Sequence, residues 1–167
     1  MVHVARAALL ACLALPAAST SAQTRPDFSG TWTLDATRSA SAVQNEPIGP
    51  TTIVINQSAT EITIETRRQD KSSTVTYRAG SADAMLNATN RANLLTSMWY
   101  WDGPKLVTES VRDINGQTVR TKEVRMLTAA GGEMTVDTLL VVEHGYSLRG
   151  AKNYGDGRDV YKRVRQP

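Results

Sequence analysis

Glu123 and Arg125 are the two residues of this chain best placed to act together on a ligand. They lie two positions apart in a segment of alternating character, so a β-strand would direct both side chains to one face. A two-residue turn at Asn115-Gly116 would pair Thr108 with Glu123 and Leu106 with Arg125 on that same face. If this face points inward, the two charges either orient a polar ligand or bond to each other as a structural ion pair. Exposure at the rim of the protein is the remaining interpretation.

Aromatic residues could build the walls of the same site. The segment Met98-Trp99-Tyr100-Trp101 concentrates aromatic area, and strand alternation sends Trp99 and Trp101 to one face. Tyr77 and Tyr161 would complete an inner wall if their side chains also point inward. Packing in an ordinary core explains the same residues, so a ligand wall and a plain core both remain open.

The histidines offer little for catalysis. His3 falls in a predicted leader, and His144 stands next to Gly145 at what reads as a strand end or turn. His144 could hold a haem iron or act as a base for Ser147, but an unliganded loop histidine is the favoured interpretation. The sequence has no nucleophile elbow, glycine-rich phosphate loop, zinc signature or paired-carboxylate motif. It therefore predicts no catalytic residue, no metal site and no cofactor.

The N-terminus has the three-part layout of a secretory signal peptide. Arg6 precedes an apolar stretch at residues 7–15, and small residues follow up to Ala22. The apolar stretch is about half the roughly 20 residues of a membrane-spanning helix, so no membrane span is expected. Cleavage is predicted after Ala22, which gives a periplasmic or secreted protein. Cys12 follows Leu9-Leu10-Ala11, as in a lipoprotein cleavage box, but the apolar run before it is short for lipidation.

The charge of the chain favours no strongly charged partner. It carries 19 Lys and Arg against 16 Asp and Glu, and removal of Arg6 leaves 18 minus 16, a net charge of +2. Such a balance gives no reason to expect nucleic acid as a partner. The only cysteine lies in the leader, so the mature chain would have no disulfide and its stability must come from packing. Residues 23–167 suit one domain, and a monomer is expected.

The pattern of the mature chain predicts an all-β domain. Short alternating segments rich in Thr, Val and Ile recur at close spacing, and none keeps a 3.6-residue period. Asn115-Gly116 is the clearest hairpin turn. Consecutive hairpins make an up-and-down antiparallel meander, and closure into a barrel of about 8–10 strands removes the exposed edges. The predicted strands are residues 30–34, 51–58, 61–68, 72–78, 94–101, 105–112, 117–127, 133–143 and 158–164, with long loops at 36–50 and 79–93.

The first strand resembles a known family. Gly30-Thr31-Trp32 is similar to the Gly-x-Trp opening strand of the calycin superfamily, which contains the lipocalins and the fatty-acid-binding proteins. The resemblance implies that Trp32 plugs one barrel end and that Arg163, or Lys162, of the last strand packs over it. Segments from Asp27 to Arg163 resemble secreted bacterial lipocalin-like domains of unassigned function.

The resemblance makes ligand binding the expected function class. Because the candidate inward faces carry many Thr, Ser and charged residues, we expect a small, partly polar ligand in the barrel mouth rather than a lipid. Tyr77, Trp99 and Tyr161 would be the walls, and Glu123 and Arg125 the orienting groups. The alternatives are a filled barrel whose loops contact another envelope protein and, less favoured, an enzyme in which His144 meets an acid.

Overall fold

The computed structural model describes residues 25–42, 49–80, 96–114, 116–144 and 154–165, except for the side chains of Thr96, Ile114, Glu143 and His144. The predicted leader, including Cys12, lies outside the described residues, as does most of the 79–93 loop. Within the described ranges, no helix is long and apolar enough to cross a membrane. The strands are β1 (Gly30–Leu34), β2 (Thr51–Gln57), β3 (Glu61–Arg68), β4 (Lys71–Ala79), β5 (Thr96–Asp102), β6 (Lys105–Ile114), β7 (Gln117–Leu127), β8 (Glu133–His144) and β9 (Tyr154–Arg163).

The nine strands form one closed barrel in chain order, which confirms the predicted fold class. Closure is made by β1 and β9, where Trp32 pairs with Arg163 and Leu34 with Tyr161. Every neighbouring pair is antiparallel except β4 and β5, which pair in parallel at Arg78 and Ala79. The exception follows from parity, because each antiparallel pair reverses the strand direction. A closed ring with an odd number of strands cannot alternate throughout.

The β6–β7 hairpin has the register that its turn predicts. Ile114 pairs with Gln117 across the turn, Thr108 pairs with Glu123, and Leu106 pairs with Arg125. Gly116 has a φ of 79°, in the left-handed region that a two-residue hairpin turn requires. A shift of one residue would move every side chain of β7 to the opposite face. The turn therefore decides that Glu123 and Arg125 share a face with Thr108.

One end of the barrel is plugged by a buried aromatic core. Trp32 is fully buried there, and its indole Nε1 donates to the carbonyl of Phe28 at 3.0 Å. The guanidinium of Arg163 lies 4.2 Å from the centre of the Trp32 ring and donates to the carbonyls of Asp27, Ser29 and Gly131. Gly30 has a φ of 126°, and a Cβ there would lie 3.1 Å from the Arg163 guanidinium. We call this the closed end.

After β1 the chain folds over the inner face of β9. A 3-10 turn at Ala36–Arg38 is followed by residues 39–42, which we call the strap. Ala40 exchanges two backbone hydrogen bonds of 2.8 Å with Arg158, and a Cβ on Gly155 would lie 2.6 Å from the Ala42 carbonyl oxygen. A Cβ on Gly157 would overlap the strap backbone. The two glycines therefore leave the space that the strap occupies.

Substituting Gly157 by alanine is expected to displace the strap and to lower the free energy of unfolding by about 1–3 kcal/mol, because the added methyl group would overlap backbone atoms. Urea unfolding followed by circular dichroism measures the loss. Gly132→Ala is the matched control, since a Cβ there meets nothing within 4 Å. Equal losses in the two variants would show that the strap does not depend on Gly157.

Candidate functional site

The barrel lumen holds a cavity of about 260 Å³ above the plugged end. This volume lies just below the range of about 300–1,000 Å³ typical of ligand pockets, so it suits a small molecule. Its walls mix aliphatic side chains with hydroxyl and charged groups. The lining residues central to the site are Arg68, Tyr77, Arg112, Glu123, Arg125, Asp159 and Tyr161.

Glu123 and Arg125 lie together on the inner face of β7 and line this cavity. The Arg125 Nη2 donates to Glu123 Oε2 at 2.6 Å, and its Nη1 donates to the Thr108 hydroxyl at 2.6 Å. Thr108 in turn donates to Glu123 Oε2 at 3.2 Å. Arg125 is only 3% exposed, whereas the Glu123 side chain is 26% exposed. This face therefore points inward, and Glu123 and Arg125 form an ion pair on it.

The Arg125 guanidinium is not fully satisfied by the described residues. Among the described residues, its Nε is buried and has no hydrogen-bond partner. A buried donor without a partner costs about 1–3 kcal/mol, and native proteins contain few of them. The Arg125 side chain lines the cavity, so a ligand acceptor would reach this buried nitrogen after a small shift of the side chain, and the new bond would remove that cost. The described residues therefore satisfy the Arg125 guanidinium only in part.

Tyr77 and Tyr161 are buried and line the cavity, so both side chains point inward. Burial and the charge of Asp159 raise the pKa of Tyr161 to about 12. Burial, followed by the charge of Glu123, raises the pKa of Tyr77. Both phenols are therefore neutral at physiological pH. Each can donate or accept a hydrogen bond without adding charge to the lumen.

Trp99 points inward but does not line this cavity. It is buried in the core cluster, where its ring meets Trp101 edge to face at a centroid distance of 5.8 Å. Trp101 also contacts Phe28 at 6.1 Å, so these rings belong to the packing that includes Trp32. The structure thus places Trp99 with the core and separates it from the other four predicted ligand-binding residues.

Three charged residues of the mouth, the end of the lumen away from Trp32, were absent from the predicted site. Arg68 stands at the last position of β3, Arg112 lies near the β6–β7 turn, and Asp159 lies on β9 beside the strap. The signal was present for Arg112, because the hairpin register places it on the face of Glu123. For Arg68, the buried Ile62 and Ile64 mark the inner face of β3, on which it lies.

His144 is the last residue of β8, and its backbone pairs with Thr118. The side chain of His144 and the whole of Ser147 lie outside the described residues. Among the residues that the structure does describe, no cluster of His, Cys, Asp and Glu could hold a metal ion.

Comparison with known proteins identifies the fold. No family model matches this chain, and no curated protein matches it in sequence. A variant of the REP1-NXSQ fatty acid transporter superposes with a TM-score of 0.50 at 14% identity, covering 81% of this chain and 97% of its own. The chain has a calycin fold. A variant of the fluorescent protein UnaG gives a TM-score of 0.49 at 17% identity, covering 83% of this chain and 97% of its own. Membership of the secreted lipocalin-like group remains a prediction.

Proposed function

We propose that this protein is an exported, non-catalytic calycin barrel that binds a small, partly polar molecule in its lumen. The observation that carries the proposal is the buried Arg125, which lines the lumen cavity and whose Nε has no hydrogen-bond partner among the described residues. The fatty acid transporter of the same fold supports small-molecule binding as a use of such a barrel. The hydroxyl and charged groups in its wall distinguish this lumen from one suited to a lipid.

The cavity favours ligand binding over a protein-interaction module. That alternative predicts a barrel filled with side chains, whereas this lumen holds about 260 Å³ of free space. If the folded, purified protein bound no small molecule but reproducibly captured one envelope protein, the interaction module would be favoured over ligand binding.

Export is proposed from residues 1–22 alone. N-terminal sequencing of the protein isolated from its native host tests it directly. A mature chain that begins near Gln23 would support export, and a chain that keeps Met1 and remains in the cytoplasm would contradict it.

Binding is tested by screening a metabolite library against tryptophan fluorescence and melting temperature. We expect at least one compound to raise the melting temperature, because a ligand that binds only the folded state stabilises it. Arg125→Met and Glu123→Gln should weaken that compound by about tenfold, the loss of one hydrogen bond to a charged group. Arg158→Met is the control, since Arg158 pairs with Asp137 on the outer face of the barrel. The proposal would be contradicted if no compound in the library bound, or if the compounds that bind had the same affinity for both lumen variants as for the parent protein.

A further inference from the structure

The ionisable groups of the cavity are not balanced. Among the residues that the structure describes, five that line the cavity carry formal charges, the cations Arg68, Arg112 and Arg125 and the anions Glu123 and Asp159. Three positive charges against two negative charges give these described lining residues a net charge of +1. An enclosed surplus of charge with low-dielectric walls attracts ligands of the opposite sign.

Both carboxylates already have partners in the protein. Glu123 is bonded to Arg125, and Asp159 accepts a hydrogen bond from the Ser41 hydroxyl of the strap. Neither Arg68 nor Arg112 forms an ion pair with any residue that the structure describes. The surplus positive charge therefore belongs to the two arginines of the mouth, whereas the deep pair is neutral.

The two mouth arginines act on the same space. The charge of Arg112 opposes the upward shift of the Tyr77 pKa, and the charge of Arg68 opposes that of Tyr161. Because both phenols line the cavity, the fields of both guanidinium groups extend into it. A ligand in the lumen would therefore be exposed to the positive field of both arginines.

We infer that the ligand is a small organic anion, held with its charged group at the mouth between Arg68 and Arg112 and with a neutral acceptor directed towards Arg125. This inference rests on the proposed function and deepens it. Guanidinium groups bind carboxylate, sulfonate and phosphate oxygens through paired, charge-assisted hydrogen bonds. An anionic group placed deep in the lumen would meet an Arg125 guanidinium that Glu123 already neutralises, so the orientation follows from the position of the two unpaired arginines at the mouth.

Two dyes that share one aromatic skeleton test the inference. Anilinonaphthalene sulfonate carries an anionic group, and N-phenyl-naphthylamine lacks it. We expect the double variant Arg68→Gln, Arg112→Gln to weaken the sulfonate dye by at least about tenfold and to leave the neutral dye unchanged. Added salt should weaken the sulfonate dye in the parent protein more than in the double variant. Arg67→Gln is the matched control. Arg67 is next to Arg68 in the sequence, but its side chain lies on the outer face, where it pairs with Glu65.

The outcomes separate the inference from the function on which it rests. If both dyes bind in the lumen and the double variant holds the sulfonate dye as tightly as the parent does, the anion inference is overturned and binding stands. Thr138→Trp, which would fill the cavity, should abolish the binding of both dyes if they occupy it. Dye binding that survives this substitution in a folded variant, as judged by circular dichroism, would lie outside the lumen and would count against the proposed function itself.

Discussion

Replacing Trp32 by alanine should lower the free energy of unfolding by about 3–5 kcal/mol. The indole is fully buried at the closed end, donates to Phe28 and lies under the guanidinium of Arg163. Its removal would leave a cavity at the junction of β1 and β9, where the barrel closes. Urea unfolding followed by far-ultraviolet circular dichroism gives the difference, because Trp99 and Trp101 would complicate a fluorescence signal.

Met126→Ala is the control for this experiment. Met126 is a large apolar side chain on the outer face of β7 and is 46% exposed, so its truncation should cost about 0.5 kcal/mol. A Trp32→Ala variant that is as stable as Met126→Ala would mean that the plug does not hold the barrel closed.

Replacing Glu123 by leucine should cost about 3 kcal/mol, since it removes the partner of a fully buried guanidinium. The double variant Glu123→Leu, Arg125→Met should recover most of this loss, because an apolar pair leaves no uncompensated charge in the lumen. A double-mutant cycle by urea unfolding isolates the coupling between the two residues.

The chain contains its own control for this pair. Glu65 and Arg67 have the same spacing on β3 but lie on the outer face, with Arg67 55% exposed. Glu65→Leu should therefore cost no more than about 1 kcal/mol, as for other surface ion pairs. Similar losses in the free energy of unfolding for Glu65→Leu and Glu123→Leu would contradict the claim that burial makes breaking the lumen pair more costly than breaking the surface pair.

These two pairs also show how far the sequence specifies the site. Alternation places each Glu and its Arg on one face, and on β3 the isoleucines at 62 and 64 identify the opposite face as the inner one. On β7 both faces mix apolar and charged residues, with Val119 on one and Val124 on the other. The hairpin register was predictable, whereas the inward direction of Glu123 and Arg125 depended on closure of the whole barrel.

The glycines of β9 illustrate what sequence patterns miss. The sequence predicts a strand that begins at Arg158, because Gly155 and Gly157 resemble turn residues. In the structure the strand begins at Tyr154. The role of these two glycines is to allow close approach of the strap, a contact between residues more than a hundred positions apart. The nine predicted strands, once closed into a barrel, already imply a parallel pair by parity, but the sequence does not indicate that this pair is β4 and β5.

The lumen site itself can be observed through the Nε–H of Arg125. Proton–nitrogen correlation spectra of the protein, recorded with and without a compound that raises its melting temperature, would report on this donor. We predict that binding shifts the Arg125 Nε–H resonance and leaves that of Arg158, which is bonded to Asp137 on the outer face, in place. A binder that leaves Arg125 unmoved would contradict the assignment of the lumen as the binding site.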